Sequence, residues 1–231
     1  MPNFRIRAAG KKTAEIYLYD VIGQDWWGGI TAKDFAEALK SAGDIDTIKL
    51  RVNSPGGDVF DGFAIYNQLA RHSARVEVDV DGEAASIASI IIMAADEIRV
   101  ADNAMIMIHD PWSFAVGSAE ALRDKAMLLD QIKGSLLRTY AARTGQTEDT
   151  LSEWMSAETW FDAAQAKQNG FADAVTEPVR IAASARGTVP WIRHMPGARR
   201  HQRPTSHYVA SRSAMAAAKI SDLGRRVRAL T

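Results

Sequence analysis

Strand patterns and helix patterns alternate along the chain as far as Val175, and this alternation constrains the fold more than any other feature. Short apolar or alternating segments predict strands, and the longer segments between them carry apolar side chains at helical spacing. Strands that alternate with helices pair in parallel through right-handed crossovers. We therefore predict an α/β fold built on a mostly parallel sheet.

The bounds of each element follow from the same patterns and from capping and chain-breaking residues. The predicted strands are Thr13–Tyr19, Ile45–Val52, Arg75–Val80, Glu97–Val100, Ala104–Ile108, Thr159–Phe161 and Ala174–Val175. The predicted helices are Thr31–Ala42, Asp58–Ala70, Ser86–Ala95, Ser118–Arg143, Thr147–Met155 and Asp162–Asn169. The apolar strand Ala104–Ile108 is of the kind that is covered on both faces.

The composition excludes several classes of function. The chain contains no cysteine, which rules out a disulfide framework, a thiolate nucleophile and a Cys-ligated metal, and we expect neither a metal nor a cofactor. The longest apolar run, Ala84–Ala95, is too short and too interrupted by serine to span a bilayer. The N-terminal segment MPNFRIRAAGKK lacks the apolar core of a signal peptide. We therefore predict a cytoplasmic protein with no membrane partner.

The basic residues are concentrated at the end of the chain. The net charge is zero, yet ten lysines and arginines follow Ala185 and Asp222 is the only acid among them. This asymmetry predicts a folded body over residues 1–183 and a basic tail over residues 184–231. The tail is predicted to be disordered, with a short basic helix over residues 214–230. A solvated tail accounts for its charge without a nucleic-acid partner.

A serine stands where a predicted strand meets a predicted helix. The strand Val76–Asp81 leads through Gly82 and small residues to Ser86, and the apolar helical run Ile87–Ala95 follows. The hydroxyl would lie at a helix N-terminus, where the helix dipole favours developing negative charge. These are the ingredients of a nucleophile elbow, although GEAAS differs from G-x-S-x-G. The alternative is a serine that only caps the helix.

Two further features follow predicted strands in the same way. Gly56 and Gly57 come after the strand that ends at Asn53, and His109 comes after the strand that ends at Ile108. Ligands of open α/β sheets bind at the carboxyl ends of the strands. If the three strands are neighbours, the glycines, the serine and the histidine converge on one edge of the sheet.

Only one of the five histidines fits the position of a general base. His194, His201 and His207 lie in the predicted tail, and His72 ends an exposed helix. His109 follows a buried strand, within reach of a hydroxyl that it could deprotonate. The alternative is a structural histidine bonded to backbone.

The remaining parts of a serine hydrolase also have candidates. The N–H groups beside Gly56 and Gly57, together with that of Ile87, suit an oxyanion hole, although SPGG is also a common tight turn. A carboxylate should orient the histidine. Glu158, Asp162 and Asp173 lie near a later strand end, and Asp162 also has the pattern of a helix cap. Composition does not choose among them.

Four ordered segments make a family resemblance recognisable: RVNSPGGD, DGEAASIAS, AMIMIHDPW and AETWFDAAQAKQNGFAD. Together they resemble the Clp proteolytic subunit family over about Ala14–Val175. The segments DWWGGITAKDFAEAL, VFDGFAIYNQLARH and YAARTG further resemble the Clp-related head maturation (prohead) proteases of tailed phages.

The resemblance implies a role for each candidate residue. It makes Ser86 the nucleophile, His109 the base, and Gly57 and Ile87 the oxyanion donors. It makes Glu158 the third catalytic member, where the family has aspartate, and Asp162 stays as a rival. The resemblance also implies the ClpP/crotonase-like fold, with the long helix Ser118–Arg143 as a protruding handle, and a homo-oligomeric ring.

The function implied is a serine endopeptidase that cleaves protein or peptide substrates through an acyl-enzyme. In a phage setting the substrates would be capsid and scaffold proteins in the host cytoplasm. The chain has no G-x-x-x-x-G-K-[ST] motif, so any ATP dependence would come from an unfoldase partner. Two alternatives are a crotonase-type acyl-CoA enzyme and a non-catalytic assembly subunit, the latter suggested by the glutamate at position 158.

Overall fold

A computed structural model describes residues 6–8, 12–24 and 28–177, with the backbone alone for residues 6–8. The predicted basic tail, including the helix predicted over residues 214–230, lies outside the described residues. The strands are β1 (Ile6–Ala8), β2 (Thr13–Leu18), β3 (Thr47–Ser54), β4 (Arg75–Ala85), β5 (Glu97–Ala101), β6 (Met105–Ile108), β7 (Thr159–Asp162) and β8 (Ala174–Thr176). The helices are α1 (Ala32–Ala42), α2 (Val59–Ala70), α3 (Ile87–Ile92), α4 (Ala119–Thr144), α5 (Glu148–Ser156) and α6 (Ala163–Gln168).

The sheet is mostly parallel, as the alternation of elements predicted. Its order is β1-β2-β3-β4-β5-β8, and β6 branches from β4 and carries β7. Antiparallel pairing occurs only between β1 and β2 and between β6 and β7 among the described strands. β1 was not predicted, because three residues at a sheet edge carry too short a pattern.

The strand that leads to the predicted nucleophile is longer than predicted. We expected it to end by Asp81 and to turn at Gly82, but β4 continues to Ala85. Its first half pairs with β5 and its last three residues pair with β6. A Cβ at Gly82 would lie 2.3 Å from Oδ1 of Asn53 on β3, so the glycine lets that side chain approach the strand. Asn53 Oδ1 accepts the N–H of Glu83 at 3.2 Å.

The helices begin where capping residues predicted. Thr31 and Asp34 form a capping box at α1, Asp58 caps α2, and Gly145 ends α4 in the left-handed conformation. The helix after the predicted nucleophile is shorter than expected and ends at Ile92. The first half of α4 is mostly exposed, while its buried residues begin at Ile132, so this helix extends beyond the core. No helix among residues 12–24 and 28–177 is long and apolar enough to cross a membrane.

The two faces of the sheet differ. Along β2, β3 and the first half of β4 every second residue is buried against the helices, and Ile16, Leu50 and Val78 are fully buried. The other face carries half-buried ion pairs between neighbouring strands, such as that of Arg99 Nε with Asp79 Oδ1 at 2.7 Å. On β6, the prediction of coverage on both faces is wrong for Met105, which is 36% exposed.

Close packing between α2 and α3 yields a first prediction. A Cβ on Gly62 would lie 2.1 Å from Cγ1 of Ile87, the residue that follows Ser86. We expect Gly62→Ala to lower the free energy of unfolding by about 1–3 kcal/mol, because overpacking outweighs the better helix propensity of alanine. Urea unfolding measures the change.

Gly134→Ala on α4 is the matched control. Its Cβ would meet Arg138 Nη1 at 3.4 Å, an ordinary contact, so the variant should gain up to about 1 kcal/mol. An equal gain for Gly62→Ala would contradict the close packing of α2 on α3.

Candidate active site

Ser86 occupies a sharp turn between β4 and α3. Its backbone has φ 54° and ψ −129°, a conformation that costs a non-glycine residue free energy and is concentrated at functional sites. Although Ser86 is the N-cap residue, its side chain makes no capping hydrogen bond. The hydroxyl instead lies 2.8 Å from Nε2 of His109. The helix-cap interpretation of this serine is therefore wrong.

Four hydrogen bonds hold the turn in this conformation. The Ser86 N–H donates to the Met107 carbonyl at 3.0 Å. The Ser86 carbonyl accepts both the N–H of Ser89 at 3.0 Å and its hydroxyl at 2.5 Å. The Ser89 hydroxyl also lies 2.7 Å from that of Tyr140 on α4. Ser89 and Tyr140 are buried, so this support is shielded from water.

Gly56 passes directly over the serine. A Cβ at this position would lie 2.6 Å from Cβ of Ser86 and 2.7 Å from the Ala85 carbonyl oxygen. With φ at +90°, glycine is also the residue that adopts this backbone without strain. The glycine pair is therefore more than a turn, because it lets backbone approach the hydroxyl.

Two backbone N–H groups near Ser86, those of Gly57 and Ile87, have no backbone acceptor among the described residues. Ile22 bonds the Gly56 carbonyl and the Asp58 N–H, each at 2.8 Å, in a parallel bridge. The residue opposite Ile22 in such a bridge turns its own N–H away, which leaves the Gly57 N–H outside the pairing. The Ile87 N–H is the first of α3 and has no acceptor within the helix. Gly57 lines the same cleft as Ser86, and Ile87 follows Ser86 in the chain.

His109 lies at the end of β6 and is half-buried. Burial lowers the pKa of His109 below its ordinary 6.5, and the negative charges of Glu158 and Asp110 oppose that change. Because the net direction is downward, the ring is neutral at pH 7. A neutral ring whose Nε2 faces a hydroxyl can accept its proton.

The strand register places one of the candidate carboxylates near the histidine. Ile108 pairs with Thr159 in the antiparallel ladder of β6 and β7, and His109 and Glu158 are the residues that adjoin this pair in the chain. Glu158 is exposed, has φ 49°, and acts on His109 through its charge. No hydrogen bond joins the two side chains among the described residues.

The other two candidate carboxylates have different partners. Asp162 pairs with Met105 at the far end of β6, about 13 Å along β7 from residue 158. Its side chain accepts the Gln165 N–H at 2.8 Å in a capping box of α6. Asp173 accepts the Ile98 N–H at 2.7 Å. Neither is brought to the histidine.

A cleft of about 450 Å³ opens beside the serine and the histidine. Gly56 and Gly57 form part of its wall. Its apolar lining residues are Val21, Pro55, Val59, Met107, Pro111 and Trp112. Such a cleft fits an apolar side chain next to the reactive pair.

Within residues 12–24 and 28–177, no group of three or more His, Asp or Glu side chains is arranged to hold a metal ion.

Two polar residues of α4 that contact neighbours of Ser86 and His109 were not predicted from the sequence. Tyr140 contacts Ser89, and Lys133 lies 2.8 Å from Asp110, the residue after His109. One signal was available: Lys133 is in line with the buried Leu137 and Tyr140 at helical spacing. A lysine on an apolar stripe indicates a partner, but the pattern does not identify it.

Comparison with known proteins gives the family. The family model described as Clp protease matches residues 7–179. "ATP-dependent Clp protease proteolytic subunit 1" of Streptomyces avermitilis is 37% identical over 154 residues, 64% of this chain and 71% of the relative. The protein of the same name from Chlamydia muridarum is 30% identical over 156 residues, 63% of this chain and 81% of the relative.

A solved structure gives the fold independently. A ClpP1 variant from Listeria monocytogenes superposes with a TM-score of 0.63 and 24% identity, over 71% of this chain and 92% of that one. The fold is thus ClpP-like, with the mostly parallel sheet expected. With the family model spanning nearly all of the described residues, the chain belongs to the Clp protease family, a family of serine peptidases.

Proposed function

We propose that this chain is a serine endopeptidase that cleaves peptide bonds through an acyl-enzyme on Ser86. The observation that carries the proposal is the 2.8 Å separation of Ser86 Oγ and His109 Nε2 at the wall of an apolar cleft. Nucleophile and base within hydrogen-bond reach are the minimum for this chemistry. Membership of the Clp protease family supports the same reaction.

Each step has a group in place. His109 Nε2 takes the proton as Ser86 Oγ forms a bond to the substrate carbonyl carbon. The N–H groups of Gly57 and Ile87 stabilise the negative charge on the carbonyl oxygen. His109 then gives its proton to the leaving amine as the C–N bond breaks, and water hydrolyses the acyl-enzyme by the reverse proton transfers.

We assign Glu158 the electrostatic role of the third catalytic member. During attack His109 becomes a cation in a half-buried site, and a carboxylate across the ladder stabilises that cation. The positive φ of Glu158 supports this role, because a glycine or asparagine would adopt it at lower cost. The strain is retained where the carboxylate is needed.

The relatives suggest how the subunit works in the cell. Those compared above are named proteolytic subunits of ATP-dependent proteases. We propose that this chain forms a homo-oligomeric ring in the cytoplasm and receives protein substrates from a separate unfoldase ATPase. The exposed first half of α4, with Leu122, Met127 and Leu128 on its surface, supports assembly through that helix.

We propose phage head maturation as the biological setting. The support is the resemblance of DWWGGITAKDFAEAL, VFDGFAIYNQLARH and YAARTG to prohead proteases. Capsid and scaffold proteins would then be the substrates. Incubation with those two proteins, compared with casein, tests the setting separately from the chemistry, since specific cleavage of the scaffold is expected.

A fluorophosphonate probe tests the nucleophile. We expect it to label Ser86, because a serine activated by a neutral histidine attacks phosphorus as it attacks a carbonyl. Ser86→Ala should lose the label and at least about 10⁴-fold in peptide hydrolysis. Mass spectrometry locates the label, and Ser41→Ala on α1 serves as the control that keeps it.

Two other results would contradict the proposal. An intact oligomer without label or hydrolysis would be a non-catalytic assembly subunit. Turnover of an acyl-CoA thioester that survives Ser86→Ala would indicate a crotonase-type enzyme.

The pH dependence of kcat/KM tests His109 and Glu158 together. The acid limb should fall below pH 6.5, because burial lowers the pKa of His109 and the base must be unprotonated. Glu158→Gln removes a charge that raises this pKa, so the limb should move to lower pH while kcat falls roughly tenfold. Glu158→Asp keeps the charge and should keep the limb near that of the wild type. If the acid limb of the kcat/KM profile stays in place in Glu158→Gln, Glu158 does not act on His109 and is not part of the catalytic site.

Asp162→Ala separates the rival carboxylate from the catalytic one. The variant loses the capping box of α6, so the free energy of unfolding should fall by about 1 kcal/mol. The acid limb should stay in place, because Asp162 lies at the far end of β6. Thermal unfolding and a pH profile measure both effects, and a shifted limb would make Asp162 the third member.

A further inference from the structure

A cluster of three polar side chains lies directly behind His109. Lys133 Nζ of α4 lies 2.8 Å from Asp110 Oδ1, and the two form an ion pair whose geometry is not that of a hydrogen bond. The same ammonium group donates a hydrogen bond to Ser156 Oγ at 3.1 Å. Ser156, the last residue of α5, donates to Asp110 Oδ2 at 3.0 Å. The cluster therefore joins α4, the end of α5 and the residue that follows His109.

The same place is tied by backbone. The Met155 carbonyl accepts the N–H of Asp110 at 3.1 Å and the N–H of Glu158 at 3.1 Å. One oxygen therefore holds both the segment that carries His109 and the turn that carries Glu158. The side chains of Lys133 and Ser156 contact Asp110 next to this shared carbonyl, Lys133 from α4 and Ser156 from the end of α5.

Stability alone is a weak explanation for the lysine. The Lys133 side chain is 22% exposed and that of Asp110 is 40% exposed, and such ion pairs contribute little to stability. Lys133 occupies the stripe of α4 that also carries Leu137 and Tyr140. Replacing both members of such a pair by apolar side chains is often neutral or stabilising.

We propose that Lys133 is a positioning residue, which through Asp110 and Ser156 holds His109 in line with Ser86 and Glu158. The inference rests on the proposed function, since it concerns alignment of the same serine and histidine. Two turns along α4, Tyr140 supports the Ser86 turn through Ser89. Helix α4 thus supports the Ser86 turn through Tyr140 and the His109 segment through Lys133.

The charges that face His109 determine the direction in which its pKa should move in each variant. Glu158 faces it from the turn before β7, Asp110 adjoins it in the chain, and Lys133 of α4 balances Asp110. Without the ammonium, the Asp110 carboxylate acts on the imidazole unopposed, so the pKa of His109 rises. Asp110→Asn removes that carboxylate, so the pKa of His109 falls.

The experiment compares Lys133→Met, Lys133→Arg and Asp110→Asn in the full chain. Peptide hydrolysis gives kcat and KM, and NMR titration of labelled histidines gives the pKa of His109. We expect Lys133→Met to lower kcat roughly tenfold with KM changed less than about twofold, since misalignment affects the reacting atoms. Its His109 pKa should move up, and Lys133→Arg should recover most of the kcat.

Lys167→Met is the control, because Lys167 is an exposed lysine on α6, and it should match the wild type in both measurements. Wild-type kcat and an unmoved His109 pKa in Lys133→Met would overturn the proposal. So would a lower melting temperature with unchanged kcat per labelled Ser86, which is the result of a purely structural ion pair.

The titration also separates this proposal from the proposed function. If the wild type neither labels nor hydrolyses peptides, the serine peptidase mechanism fails. The NMR measurement still applies to that protein, and opposite shifts of the His109 pKa in Lys133→Met and Asp110→Asn would show that both charges act on the imidazole, as the proposal requires. Equal pKa values in all variants would overturn it.

Discussion

The pairing of the last three residues of β4 with β6 is the interaction on which the site depends. β4 leaves β5 after Val80 and continues beside β6, so that Ala85 lies opposite Met107. The Ser86 N–H then bonds the Met107 carbonyl, two residues before His109. Because this ladder joins the two strand ends, serine and histidine are brought to 2.8 Å by backbone hydrogen bonds. The hydrogen bond between the Ser86 and His109 side chains therefore depends on this backbone pairing.

Strained backbone surrounds this ladder, and packing holds it in place. Ser86 and Glu158 have positive φ, and so do Gly56 and Gly57. Such conformations persist where neighbouring structure over-determines them. Here the constraint comes from the bridge to Ile22, the bonds to the Ser86 carbonyl and the turn that ends α5. The free-energy cost of these conformations is therefore concentrated around Ser86 and His109.

Opposing electrostatic effects act on His109. Burial disfavours its cation, while Glu158 and Asp110 favour it, and the net pKa lies below the ordinary value. A base in this state is unprotonated before the reaction, yet its cation is stabilised by nearby charge once formed. Lys133 forms an ion pair with one of the two carboxylates, Asp110. The balance therefore involves α4 and the turn before β7 as well as the strand that carries the histidine.

The sequence by itself determined the alternation of elements, most helix starts, and the candidates Ser86 and His109. These follow from local patterns, in which spacing and caps act within a few residues. It did not predict that β4 reaches Ala85 or that β1 exists, because strand ends depend on partners far away in the chain. It left Glu158 and Asp162 as rivals. The register of β6 with β7 separates them in space, since the two carboxylates lie close together in sequence but at opposite ends of a strand, with Glu158 at the end near His109. Lys133 lies 23 residues from Asp110, and tertiary packing alone brings the two together.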